Sequence, residues 1–314
     1  MSLDLSHGGC VAAVTQILTN QYFIVNDRCK GLWLAEMLAR ECGAIRPPID
    51  TTGRSDMTIV LSETHGAIRL ITVNRPEKLN ALSFEVFDKL GVALDEAIAD
   101  EATKVIAFTG AGPKAFVAGM DVSDMAGADP LQAFRITRSG QVFFQRVADA
   151  PKPTIAMVNG YALGGGFELA LSCDFVVASE TARFGFPEIR LATFPGWGGT
   201  QLAMRKMHPC FAKEMIWSGK HYGSRECQHF GFINRIAPPD KLWDETQEFA
   251  GLFTDKESVP LEFAKRLANT AASGGADAGV ALEAALYGIN FTLPHAREAF
   301  DGLQKGFAAK KRAE

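Results

Sequence analysis

The residues best suited to chemistry in this sequence are two glutamates beside a run of glycines. Glu168 lies in GGGFELA and Glu188 in FGFPEI, directly after Pro187. Two carboxyls at one site can divide proton work, one taking a proton while the other gives one, if their surroundings hold them in different protonation states. Gly164, Gly165 and Gly166 lead into a helical run over 167–173. Glycines let a chain turn tightly and leave its N–H groups uncovered. The first N–H groups of a helix have no partner within it and sit at its positive end. They suit an oxygen that gains negative charge during a reaction. Glu168 falls about one helical turn past Gly165, so its carboxyl shares that end of the helix. Taken singly, the same residues would serve as a tight turn, a helix cap and a loop carboxylate.

Such groups need a scaffold, and the surrounding chain alternates strand and helix. The apolar run 154–158 enters the glycine turn as a short buried strand. Residues 67–74 and 104–109 are β-branched, apolar runs of strand length. Between them Phe84, Phe87, Leu90, Leu94 and Ile98 recur at helical spacing, with Ser83 placed as the N-cap. Further helices are predicted over 200–207, 211–217 and 224–230, then a strand over 232–236. After the Pro238–Pro239 break the spacing predicts only helix, at 242–253, 261–272, 280–291 and 296–309.

A chain of 314 residues accommodates one large domain or two small ones. Its 47% hydrophobic and 22% charged residues are those of a globular protein with a sizeable core. The net charge of −4 argues against nucleic acid as the main partner. No uninterrupted apolar run is long enough to span a membrane. Cys10, Cys29, Cys42, Cys173, Cys210 and Cys227 are scattered without a CxxC pair, and the histidines show no ligand spacing. Free thiols in a reducing, cytoplasmic setting are expected, and a zinc site is not. A polar, proline-containing run over 46–56 reads as a linker. The expected layout is an N-terminal extension at 1–56, a core at 57–240 and a helical region at 241–314.

Three blocks carry a resemblance: NGYALGGGFELA at 159–170, FGFPE at 184–188 and PGWGGTQ at 195–201. RPEKLNAL at 75–82 and AGMD at 118–121 precede them. In order and spacing they resemble the crotonase superfamily, and within it the enoyl-CoA hydratases, from residue 57 to the C-terminus. The resemblance implies an α/β fold, the crotonase/ClpP-like spiral of repeated ββα units with two near-perpendicular sheets and a C-terminal helical trimerisation region. It implies addition of water to a 2-enoyl-CoA thioester. Glu168 would deprotonate the water and Glu188 would protonate Cα, while the N–H groups of Met120 and Gly165 hold the enolate oxygen. Coenzyme A enters as part of the substrate, so neither a separate cofactor nor a metal is expected. Lys78 in the 75–82 loop, Ala118 and Asp121 in the A-G-x-D turn, and Phe307 and Lys310 in the terminal FAAKK would lie along the coenzyme. The implied partners are an acyl-CoA and further copies of the chain, in a trimer or dimer of trimers, with no nucleic acid and no membrane.

Three positions depart from the family's habit. Met120 stands where hydratases usually carry a small residue, which makes the pocket wall bulkier. Ser123 stands where a phosphate-binding lysine is frequent. Trp197 fills the variable position of PG-x-GG, where relatives commonly have something small. It and Phe186 are either core aromatics or selectors of the acyl chain. Two intact glutamates favour hydration over double-bond isomerisation or another crotonase-type reaction. An RNA-binding relative is the alternative outside enzymes, and no basic stripe with interleaved aromatics supports it. Residues 1–56 fall outside the resemblance, either as an added tether or through a start codon placed too early.

Overall fold

The computed structural model describes residues 58–274 and 276–313. The extension expected at 1–56 therefore lies outside the described residues. From residue 60 onward one unit repeats, two strands followed by a helix. Strands β1 (Val60–His65) and β2 (Ile68–Val73) lead to the helix Phe84–Ala99. Strands β3 (Val105–Gly110) and β4 (Ala115–Val117) lead to Pro130–Ala148. Strands β5 (Thr154–Val158) and β6 (Tyr161–Leu163) lead to Gly165–Ser172, and β7 (Phe175–Ser179) and β8 (Arg183–Gly185) to Gly199–Lys206. In the last three units the first strand joins a large sheet and the second a small one. With β10 (Arg235–Ala237) the large sheet has the order β1-β2-β3-β5-β7-β10. With β9 (Tyr222–Gly223) the small one has the order β4-β6-β8-β9. Neighbours run parallel except β1 against β2 and β8 against β9. Parallel neighbours cannot be joined by a tight hairpin, so a crossover intervenes each time. The result is the α/β spiral of ββα units expected from the sequence.

Residue alternation along the large sheet sorts its side chains into two cores. Ile106, Phe108, Ala156, Val158, Val176 and Ala178 face the helices and the small sheet. Val105, Ala107, Ile155, Met157 and Val177 face the opposite way, against Leu242, Phe249 and Ala250 of the helix Leu242–Thr254. The helix Phe84–Ala99 buries Val86, Leu90, Ala93, Leu94 and Ala97, a stripe at helical spacing. Its Ser83 hydroxyl accepts the Val86 N–H, as expected of an N-cap. Helices Ser258–Ser273, Ala276–Asn290 and Pro294–Ala313 complete the described chain.

Three elements differ from the sequence reading. The helix Pro130–Ala148 was not anticipated, although Asp129 and Gln132 form a capping box ahead of it and Pro130 opens it. The strand expected over 232–236 begins only at Arg235. Before it the Asn234 side-chain oxygen accepts the Val176 N–H at 2.9 Å, so a side chain takes the place of a ladder carbonyl. The helix expected from 261 starts at Ser258, because a proline in a helix's first turn removes only an N–H that has no helical partner.

Candidate active site

Strands β4, β6 and β8 lie side by side and parallel in the small sheet. Their carboxyl ends therefore open on the same edge, where ligands of parallel sheets commonly sit. Met120 comes three residues after β4, Gly165 two after β6, and Glu188 three after β8. The sheet thus brings together three of the residues singled out from sequence, and the helix after β6 adds Glu168.

The turn after β6 depends on its glycines. Gly164 has φ +51°, and a Cβ there would meet Glu188 Oε1 at 2.6 Å. A Cβ on Gly166 would sit 1.9 Å from the Val117 carbonyl oxygen, so β4 presses directly on the helix start. The helix Gly165–Ser172 has no side-chain cap, and every one of its residues is buried. Its first helical bond runs from the Glu168 N–H to the Gly164 carbonyl at 2.9 Å. The described hydrogen bonds leave the N–H groups of Gly165 and Met120 unengaged. Around Met120 the chain is fixed on both sides. Leu82 N–H donates to the Gly119 carbonyl, and Asp121 N–H to the Leu82 carbonyl.

Glu168 is 1% exposed. Its Oε1 accepts two backbone N–H groups, from Trp197 at 2.8 Å and from Gly199 at 2.7 Å. Gly199 opens the helix Gly199–Lys206, so the carboxylate rests on that helix's positive end. Burial pushes the Glu168 carboxyl up to about 8; the Gly199 N–H pulls against that rise, and the Glu188 charge adds to it. Glu188 sits in the short 3₁₀ turn Pro187–Leu191, and burial pushes it up to about 7. Its Oε2 is buried with no hydrogen-bond partner. The two carboxyls titrate close together and act as a pair. Burial and hydrogen bonding order the pair in opposite ways. Burial leaves Glu168, at about 8, holding a proton more tightly than Glu188, at about 7. The two short N–H bonds on Glu168 and the unpartnered buried oxygen of Glu188 favour the reverse, an anion on Glu168 and a neutral Glu188, and these fixed bonds are the firmer guide. The pair, set beside two free N–H groups, can move protons next to an oxygen that becomes negative.

The neighbouring loops are tied by Lys78, Asp121 and Ser123, already named from sequence, and by Arg75 and Asn80, which the sequence reading did not single out. Arg75 and Lys78 both reach Asp121 Oδ2, at 3.1 and 3.0 Å, and Ser123 Oγ donates to Oδ1 at 2.7 Å. The Ser123 hydroxyl, with Lys78 and Arg75, holds the Asp121 carboxyl far below the usual carboxylate range. Asp121 is thus a strut between the 75–82 and 118–124 loops, and it engages Lys78. Ala118 is half-buried, and its N–H donates to the Leu79 carbonyl at 3.1 Å. Asn80, fully buried at φ +58°, donates to the carbonyls of Ala111 and Ala115 and accepts the Arg75 N–H. An asparagine between leucine and alanine in a proline-led turn is the signal for it, since Asn tolerates left-handed backbone. Phe307 and Lys310 fall on the last helix, and their side chains lie outside the described residues. Phe186 is core, with 0% exposure and its ring 4.7 Å from that of Phe167.

The sequence profile described as Enoyl-CoA hydratase/isomerase matches residues 63–312. The chain belongs to this family. A short-chain-enoyl-CoA hydratase of Clostridium acetobutylicum is 33% identical over 244 residues, covering 78% of this chain and 94% of that protein. A crotonyl-CoA hydratase of Syntrophomonas wolfei is 32% identical over 239 residues, covering 76% and 92%. In structure the chain is similar to an enoyl-CoA hydratase subunit I of Geobacillus kaustophilus, with a TM-score of 0.75 and 34% identity over 80% of this chain and 97% of that one. This enoyl-CoA hydratase/isomerase family member is an enzyme of the crotonase superfamily. Among its described residues no cluster of His, Cys, Asp or Glu is arranged to hold a metal ion, and no helix is long and apolar enough to cross a membrane.

Proposed function

We propose that the protein hydrates 2-enoyl-CoA thioesters to 3-hydroxyacyl-CoA. The observation that carries this reading is the contrast between two neighbouring carboxyls, one buried and held by two backbone donors and the other half-buried with an unpartnered oxygen. Hydration needs both kinds of group, a base for water and an acid for Cα. Glu168 takes a proton from the attacking water, which adds to Cβ. Glu188 delivers a proton to Cα. In between, the thioester oxygen carries negative charge, and the N–H groups of Met120 and Gly165 receive it. A single donor of this kind is typically worth about 3–4 kcal/mol in the transition state. Coenzyme A arrives on the substrate, along the loops that Asp121, Lys78 and Ala118 build, and the reaction draws on no other cofactor.

Assembly as a trimer or dimer of trimers belongs to the same proposal. Leu131, Phe134, Leu191, Phe194 and Trp217 are each more than half exposed on one chain. Exposed apolar surface of this extent favours contact with further copies. Residues 1–56 lie outside the family match and take no part in the chemistry proposed.

The test is a pair of substitutions with crotonyl-CoA, followed by loss of the conjugated absorbance. Glu168→Gln and Glu188→Gln should each lower turnover by at least roughly a hundredfold. In a double-bond isomerase one glutamate shuttles the proton between carbons and the other is nearly silent. A turnover within about threefold of the parent for either variant, against the roughly hundredfold expected of an acid–base group, would replace hydration by isomerisation.

A further inference from the structure

Trp197 reaches the site twice. Its backbone N–H is one of the two donors on Glu168 Oε1, at 2.8 Å. Its indole is a separate feature, 6% exposed and wedged between two helices. Ring atom Cζ3 lies 2.3 Å from where a Cβ on Gly165 would stand, and Cδ1 lies 2.4 Å from where one on Gly140 would stand. Both helices have given up a side chain to admit this ring. Phe87 meets it edge-on at 4.9 Å and Phe144 at 5.8 Å. Phe143, Phe144 and Trp197 belong to one apolar cluster, against which Phe87 and Met120 also pack.

We propose that the Trp197 indole is the end wall of the acyl pocket and restricts the enzyme to short chains. The proposal rests on the reading of this site as one for acyl-CoA thioesters. A thioester oxygen on the N–H groups of Gly165 and Met120 places Cβ beside Glu168. The chain beyond Cβ then leaves from the carboxyl that Trp197 itself holds, and meets the indole standing against Gly165. A residue whose N–H fixes the base thus blocks the next carbons with its side chain. The slot is close-packed on both ring edges, so the indole cannot swing away without displacing a helix. Met120 narrows the same space from the other oxyanion loop.

The experiment uses the whole enzyme and saturated acyl-CoA thioesters, which bind but cannot be hydrated. Calorimetric Kd values for butyryl-, hexanoyl-, octanoyl- and dodecanoyl-CoA are compared for the parent, Trp197→Ala and Trp197→Phe. Truncation keeps the backbone N–H and opens the wall. The parent should prefer butyryl- over octanoyl-CoA by tenfold or more, and Trp197→Ala should shift that ratio by about a hundredfold toward the longer chain, the scale of a few buried methylenes. Trp197→Phe should keep most of the short-chain preference. If Trp197→Ala does not fold, Trp197→Leu, which leaves a smaller opening, should still move the ratio at least tenfold. A parent that binds octanoyl- and butyryl-CoA within threefold overturns the proposal. So does a folded Trp197→Ala or Trp197→Leu that weakens all chains equally. Because no turnover is measured, a protein that shows this chain-length shift but does not hydrate crotonyl-CoA would sink the hydration reading and leave the wall standing.

Discussion

Replacing Glu188 by glutamine should change how stability depends on pH, and the size of that change follows from where its carboxyl sits. Burial raises Glu188 from 4.5 to about 7, so the folded chain holds this proton more tightly than the unfolded chain does. Its contribution is fully present below about pH 4.5 and is lost as pH rises through about 7. At about 1.4 kcal/mol for each tenfold in proton affinity, roughly 2.5 kcal/mol should disappear between pH 5 and pH 9. The carboxyl is half-buried rather than sealed, and solvent screening brings this to roughly 1.5–2.5 kcal/mol. Glutamine stays neutral throughout and loses none of it. The amide puts an N–H where Oε2 has no partner, a fixed cost of about 1–3 kcal/mol at every pH. The variant should therefore be the less stable protein at pH 5 and should close on or overtake the parent by pH 9. Removing the Glu188 charge also lowers the affinity of Glu168 for its proton, which acts in the same direction. Urea unfolding at pH 5, 7 and 9, with subunit concentration held constant, measures the difference directly. A parent-to-variant gap that stays within about 0.5 kcal/mol from pH 5 to pH 9 would refute burial as the force holding Glu188 neutral.

Three further outcomes are expected. The pH profile of kcat/KM should be bell-shaped with its maximum between about 7 and about 8, falling below as the pair takes a second proton and above as it loses its last; a rate flat from pH 6 to 9 would remove the glutamates from the chemistry. Gly166→Ala should cost about 3 kcal/mol or more, because the new methyl would meet the Val117 carbonyl at 1.9 Å. Gly279→Ala, with nothing within 4 Å, should instead raise stability by about 0.5–1 kcal/mol in the same melts. Asn80→Ala strands the Ala111 carbonyl, leaves the Ala115 carbonyl to Asn159 alone and puts alanine at φ +58°, and should cost about 1–3 kcal/mol while raising KM for the thioester more than it lowers kcat.

The parts legible in the sequence were those governed by local rules. Period-two and helical spacing located β2, β3, β5 and most of the later helices within a few residues, since burial on one face dictates both patterns. Glu168 and Glu188 stood out because glycines and a proline flank them. What escaped notice depends on contacts between distant segments. Nothing near Trp197 announces that its N–H will hold Glu168, because that bond exists only once the Gly199–Lys206 helix docks on Gly165–Ser172. Asn80 and Arg75 lie in a loop that reads as ordinary turn chemistry, and their partners lie up to 46 positions away. Pro130–Ala148 differs from these, since its signals are local: a capping box at Asp129 and Gln132, Pro130 at its first position, and Phe143, Phe144 and Val147 buried at helical spacing. Strands of three residues such as β4, β6 and β8 are too short for any period to register.

The three parallel strand ends have a consequence for how such an enzyme can diverge. On the proposed reading, the groups that steady the negative oxygen belong to the main chain, whereas those that move protons are side chains. Almost any codon change can erase a glutamate, yet only proline erases an N–H. Activation of the thioester is therefore inherited with the backbone, and the fate of the activated carbon is written in two replaceable letters, one on a helix and one on a 3₁₀ turn. Since Glu188 holds a buried oxygen without a partner, exchanging it for an apolar residue need not unfold the chain. Descendants can cross from one reaction to another through folded intermediates, and gene duplication would leave the parent chemistry intact while they do so.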